Sequence, residues 1–108
     1  MWKIEFYDEK VMNDTFSLPK KILAKMLRVF EIIEELGPQL GEPYTKPLFD
    51  GLFEVRAKGQ EGIGRSIFCY QKGKKIIILH SFVKKDQKIR KKDLEIAIER
   101  KKEIDDEK

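Results

Sequence analysis

Residues 52–83 read LFEVRAKGQEGIGRSIFCYQKGKKIIILHSFV, and this stretch decides the fold. Within it Leu52 to Ala57, Ile63 to Gln71 and Lys75 to Val83 are rich in β-branched and aromatic residues. Each is parted from the next by a short glycine-containing loop, as antiparallel hairpins require. The expectation is a three-stranded meander. Upstream, Trp2, Ile4 and Phe6 alternate with Lys3, Glu5 and Tyr7, a period-two pattern that adds an N-terminal strand. Residues 8–16 are polar with weak periodicity and suit a short helix. Ser17-Leu18-Pro19 then starts a longer one, whose Leu23, Met26, Leu27, Phe30, Ile33 and Leu36 recur at three- and four-residue steps until Gly37-Pro38 ends it. The stretch from Gly41 to Asp50 carries two prolines and no helical period, and reads as a loop. Downstream of a basic run from Lys84 to Lys92, Asp93-Leu94-Glu95 opens a last helix with Leu94, Ala97, Ile98 and Ile104 on its apolar side. The order strand, helices, three strands, helix predicts one α+β domain over residues 1–108: a small, antiparallel-rich sheet packed with N-terminal helices and a C-terminal helix.

Composition narrows the function classes. The hydrophobic share of 41% includes seven phenylalanines, enough for a packed interior despite 39% charged residues. Net charge is +4, which suits nucleic-acid or acidic partners without selecting either. One cysteine and one histidine cannot supply a disulfide or a Cys/His metal cluster, which leaves only a carboxylate-only metal site conceivable. No apolar run approaches the roughly 18 residues of a membrane span, so no membrane partner and a cytoplasmic location are expected. Gly59, Gly62 and Gly64 imitate a phosphate loop, but they fall between strands with no helix following, and read as hairpin glycines. Paired carboxylates for glycoside chemistry cannot be picked out, because Glu54 is the one acid within the strands of the meander.

What remains is positive charge around the sheet. Alternation places Leu52, Glu54 and Arg56 on one face of their strand, and Ile76, Ile78, His80, Phe82 and Lys84 on one face of the last. With Arg65, Lys85 and Lys88 these residues could hold RNA phosphates and stack a base on Phe82. The plainer reading of Lys84 to Lys92 is a solvated loop. His80, the lone imidazole, could move a proton near neutral pH or serve only structure. Glu54 could accept a proton or pair with Arg56. The long helix carries Lys20, Lys21, Lys25 and Arg28 in its first half and Glu31, Glu34 and Glu35 in its second, against the helix dipole. This is either a solvated face with pairs such as Arg28 with Glu31, or a surface for a charged partner.

Four segments carry a family resemblance. Lys46-Pro47-Leu48-Phe49-Asp50-Gly51-Leu52-Phe53-Glu54-Val55-Arg56 resembles the entry to the sheet in RelE/ParE-superfamily toxins, in particular the phage-derived HigB-like branch. Arg65-Ser66-Ile67-Phe68-Cys69-Tyr70 resembles its arginine-led strand. The segment from Ile78 to Lys88 resembles its hydrophobic-His-x-Phe-x-Lys-Lys pattern, and Ala97-Ile98-Glu99-Arg100 is similar to its last helix. The sequence departs from that pattern at Arg90-Lys91, where many relatives start a helix with Thr-Pro, and at Ser81, where glycine is commoner. The resemblance implies a RelE-like fold and the toxin of a type II toxin–antitoxin pair. It further implies a metal-independent, ribosome-dependent endoribonuclease that needs no cofactor and cuts mRNA by attack of the ribose 2′-hydroxyl. Catalysis would fall to Arg65, Lys84, Lys85 and His80, and RNA binding to Arg56, Phe82, Lys88 and Lys46, with Arg100 bracing the site. The expected partners are mRNA on the ribosome and a helix-turn-helix antitoxin that could dock on the long helix. A ParE-like inhibitor of DNA gyrase and a non-catalytic binding module are the competing readings, since one fold carries several activities.

Overall fold

The computed structural model describes residues 1–107, so Lys108, the last residue of the expected domain, lies outside the described residues. The elements are β1 (Lys3–Phe6), α1 (Glu9–Phe16), α2 (Lys20–Leu36), β2 (Thr45–Pro47), β3 (Phe53–Gly59), β4 (Gly62–Gln71), β5 (Lys75–Lys84) and α3 (Lys91–Asp106). The five strands form one sheet in the order β1-β5-β4-β3-β2, with β1 parallel to β5 and every other pair antiparallel. The α+β class and the meander are therefore as the sequence predicts. The reading of residues 41–50 as pure loop is corrected, because Thr45–Pro47 pairs with Phe53–Val55 as an edge strand. An edge position tolerates Pro47, which has no N–H to give.

Each face of the sheet is covered by different helices. On one, Val55, Ala57, Phe68, Ile76 and Ile78 pack with Val11 of α1 and with Ile22, Met26, Phe30 and Ile33 of α2. On the other, Leu52, Ile67, Cys69, Ile77 and Leu79 pack with Ala97 of α3. The buried stripe of α2 starts at Ile22, not at the expected Leu23, and Leu36 is exposed. Glycine explains the shift. A Cβ on Gly64 would stand 2.3 Å from Ile22 Cγ2, and one on Gly59 2.5 Å from its Cγ1, so the two glycines make room for Ile22 on the β3–β4 hairpin. Asp8 caps α1 by accepting from the Val11 amide at 2.8 Å. A buried hydroxyl chain also ties that helix down: Thr15 donates to Ser81 at 2.7 Å, and Ser81 meets Ser66 at 2.8 Å. Ser81, one of the two departures from the family pattern, is the middle link.

A β-bulge in β5 sets the geometry of the site. Phe68 pairs with Ile78 but Ile67 pairs with His80, leaving Leu79 as the extra residue. The expected single face running from Ile76 to Lys84 is thus corrected: Ile76 and Ile78 face α2, whereas His80, Phe82 and Lys84 stand opposite Ile67, Arg65 and Ile63 on the α3 side. The Leu79 carbonyl, displaced from the ladder, accepts from Arg100 Nη1 at 2.7 Å, while the same guanidinium lies 5.2 Å from the centre of the Tyr7 ring. α3 begins two residues before the expected Asp93, which occupies its first turn. Among the described residues no helix is long and apolar enough to cross a membrane, and no group of three or more His, Cys, Asp or Glu could hold a metal ion.

Candidate nucleic-acid interface

On the α3 side of the sheet Arg56 and Arg65 are cross-strand neighbours. Two guanidinium groups side by side repel, and the carboxylate between them offsets this. Glu54 Oε1 accepts from Arg56 Nε at 2.7 Å, and its Oε2 lies 3.8 Å from Arg65 Nε. At that distance the second contact is an ion pair without a hydrogen bond, and both atoms are buried without a hydrogen-bond partner. The two arginines differ sharply in exposure: the side chain of Arg56 is 35% accessible, that of Arg65 0%. Arg65 Nη1 donates to the Asp86 carbonyl at 3.0 Å and Nη2 donates to the Gln87 carbonyl. Burial pushes its pKa below the ordinary arginine value, and Glu54 opposes that push. It stays a cation, since arginine does not deprotonate in proteins.

Arg65, to which the resemblance assigns a catalytic role, is closed off from solvent in this structure. With no accessible surface and both terminal nitrogens bound to the backbone, Arg65 holds the loop after β5 against the sheet. Glu54 is equally buried and orients Arg56, one of the two roles open to it in the sequence.

His80 points to the start of α3, where its Nε2 lies 2.8 Å from Asp93 Oδ1; Arg90 Nε donates to the other oxygen at 3.3 Å. The Asp93 carboxylate sits in the first turn of the helix, where the dipole favours negative charge. Phe82 follows, with its ring 5.0 Å from that of His80, so the imidazole is held between an acid and an aromatic face. Lys84 ends β5 half-buried, and Lys85 and Lys88 are exposed in the loop beyond.

The loop held by Arg65 divides two open grooves. One, of about 450 Å³, is lined by Lys46, Phe49, Arg56, Gln87 and Lys88 with Glu54 at its floor. The other, of about 400 Å³, is lined by Lys58, Gln60, Gly62, Lys85 and Gln87. The structure thus brings Lys46, Arg56 and Lys88 together, puts Lys85 in the adjoining groove, keeps Phe82 and Lys84 on the shared face, and turns His80 toward Asp93. A third hollow of about 250 Å³, between the Asp50 turn and α3, is not basic, because Lys101 pairs with Asp105 at 2.7 Å. Lys58, Gln87 and Asp93 are the site residues missed from sequence. Lys58 follows Glu54 and Arg56 in alternation and becomes legible once the strand is extended to Gly59. Asp93 is found by asking which first-turn acid meets the imidazole.

This architecture is a RelE-type fold. It superposes on an arginine-substituted mutant of the E. coli toxin RelE in the free state with a TM-score of 0.67, covering 92% of this chain and 96% of that one at 12% identity. It also matches a chain of the archaeal RelE–RelB complex from Pyrococcus horikoshii OT3, with a TM-score of 0.55, 22% identity, and coverage of 81% of this chain and 98% of that one. The chain belongs to the family described as Phage derived protein Gp49-like (DUF891), matched over residues 13–102. A comparison with curated proteins gave no match.

Proposed function

We propose that this protein is the toxin of a type II toxin–antitoxin pair and acts as a metal-independent endoribonuclease on mRNA at the ribosome. The observation that carries the reading is the groove in which Lys46, Arg56 and Lys88 converge, with Arg56 held in place by Glu54. Such a groove offers charge to backbone phosphates, and the exposed aromatic Phe49 at its edge offers a surface to a base. In this mechanism the ribose 2′-oxygen bonds to phosphorus while the bond to the 5′-oxygen breaks. Arg56, Lys84 and Lys88 stabilise the added negative charge. The 2′-hydroxyl proton leaves to solvent, and His80 returns one to the 5′-oxygen. Asp93 fixes His80 through Nε2, which leaves Nδ1 without a protein partner among the described residues. Arg65 acts as a positioning residue: it holds the loop that presents Lys85 and Lys88.

The test is induced expression of wild type, Arg56→Ala, Lys84→Ala and Lys88→Ala in a bacterial host, with growth followed and RNA 5′ ends mapped. Growth arrest with new in-frame mRNA ends, lost in folded cation variants, is the expected result. Arrest without new ends but with impaired supercoiling would replace the reading by gyrase inhibition. Soluble, folded wild type that causes no arrest would replace it by a binding module. A cognate helix-turn-helix antitoxin completes the proposal, docking along α2 at the cleft where apolar Phe16, Leu27 and Phe30 are rimmed by Glu31 and Glu34. Undiminished antitoxin binding by Phe16→Glu would refute that docking place.

A further inference from the structure

Resting on the ribonuclease reading, we propose that the groove at the end of the β3–β4 hairpin is a second phosphate subsite, formed by Lys58 and Lys85, that holds the RNA strand beyond the cleavage groove. Both lysines are exposed and line the same groove, which has no acid among its lining residues. Two acids lie near in sequence, neither of them lining the groove: Glu61 of the hairpin turn, whose carboxylate approaches Gly59 on the side of Ile22, and the exposed Asp86 next to Lys85. Lys25 of α2 adds a third cation at the hairpin end, where its ammonium donates to the Lys58 carbonyl at 2.6 Å.

The groove is built by the backbone. Gly62 has a φ of 141°, and a Cβ there would stand 2.7 Å from the Lys84 carbonyl oxygen and 3.4 Å from the Lys85 amide nitrogen. Only glycine lets the chain after β5 run this close to the hairpin, and that approach brings Lys85 opposite Lys58. Arg65 then fixes the next two residues through the carbonyls of Asp86 and Gln87. Gln87 lines both grooves, so one side chain separates them. A single strand crossing the loop would meet Lys46, Arg56 and Lys88 on one side and Lys58 and Lys85 on the other.

Binding of a short single-stranded RNA, 2′-O-methylated to prevent cleavage, measured by fluorescence anisotropy over a series of salt concentrations, tests this directly. The proteins are wild type, Lys58→Gln, Lys85→Gln, and Lys102→Gln as an exposed control on α3. Each phosphate contact removed lowers the slope of log K against log salt by about 0.7 for a single strand. The expected result is that loss for Lys58→Gln and for Lys85→Gln, with Lys102→Gln matching wild type. If wild type binds but both groove variants behave as the control does, the subsite is overturned while the ribonuclease reading stands. If wild type binds no RNA, the subsite is overturned, and the ribonuclease reading stands or falls on the mapped RNA 5′ ends.

Discussion

Replacing Arg65 by alanine should damage the fold before it damages any chemistry. The guanidinium makes two hydrogen bonds to loop carbonyls and faces the buried Glu54 carboxylate. Its removal leaves the Asp86 and Gln87 carbonyls without their donors and Glu54 without one of its two cations. A hydrogen bond from a charged donor contributes about 1.5–3 kcal/mol, and breaking a buried pair from one side costs about 3–5 kcal/mol. The two figures describe overlapping losses, so the expected destabilisation is about 3–5 kcal/mol, a large part of the roughly 5–15 kcal/mol available to a small domain. At about 4 °C per kcal/mol for a chain of this size, the melting temperature should fall by roughly 12–20 °C. Urea unfolding followed by the fluorescence of Trp2, the only tryptophan, which packs edge-on against Tyr70, gives the number directly. Arg65→Lys should also lose stability, because an ammonium does not reproduce the planar fork that spans two carbonyls. If Arg65→Ala unfolds within about 0.5 kcal/mol of wild type, as an exposed substitution does, while losing all activity, Arg65 contacts substrate and the positioning role is wrong.

Arg100→Ala should cost about 1–3 kcal/mol in the same unfolding assay, since it strips the bulge carbonyl of Leu79 of its donor; a neutral result would mean the carbonyl finds water. Ser81→Gly breaks the hydroxyl chain between Thr15 and Ser66 and should cost about 1–2 kcal/mol, read as faster amide exchange in α1 as well as a lower midpoint. Exchange unchanged in α1 would show that the chain does not anchor it. In alkali, the Tyr7 phenol donates to Glu103 and is pushed up to about 12, and burial carries Tyr70 to about 12 as well. Because the folded value lies above the ordinary 10.0, the Tyr7 bond stabilises the fold fully below pH 10 and its contribution is lost as pH rises through 12. Tyr7→Phe should therefore delete one late phenolate from an ultraviolet titration, and an ionisation removed near pH 10 would contradict the bond.

The meander, the long helix and the cationic character of one sheet face were legible because each is written as a periodicity or a glycine-punctuated run. The bulge was not. One extra residue at Leu79 leaves no mark in a uniformly apolar Ile-Ile-Ile-Leu run, yet it decides which face His80, Phe82 and Lys84 join. The partners of Arg65 were illegible for a related reason: an arginine at the head of a strand carries no sign of the two backbone carbonyls, 21 and 22 residues away, that it binds. The edge strand Thr45–Pro47 was hidden by its proline, which argues against a strand everywhere except at an edge. Ile22 was passed over for Leu23 because the space that admits it is made by glycines on another element. Local pattern thus carried the elements, and long-range contacts carried the site.

The parallel pairing of β1 with β5 joins Lys3 to Lys75 and Phe6 to Ile78. During synthesis the first strand emerges with no partner, and at about 5–20 residues per second it waits roughly 4–15 s before residues 75–78 exist to receive it. The sheet cannot close, nor the loop of Lys85 and Lys88 settle on Arg65, until most of the chain has been made. Assembly of the basic grooves is consequently a late, nearly all-or-none event, and a truncated chain ending before β5 holds neither groove.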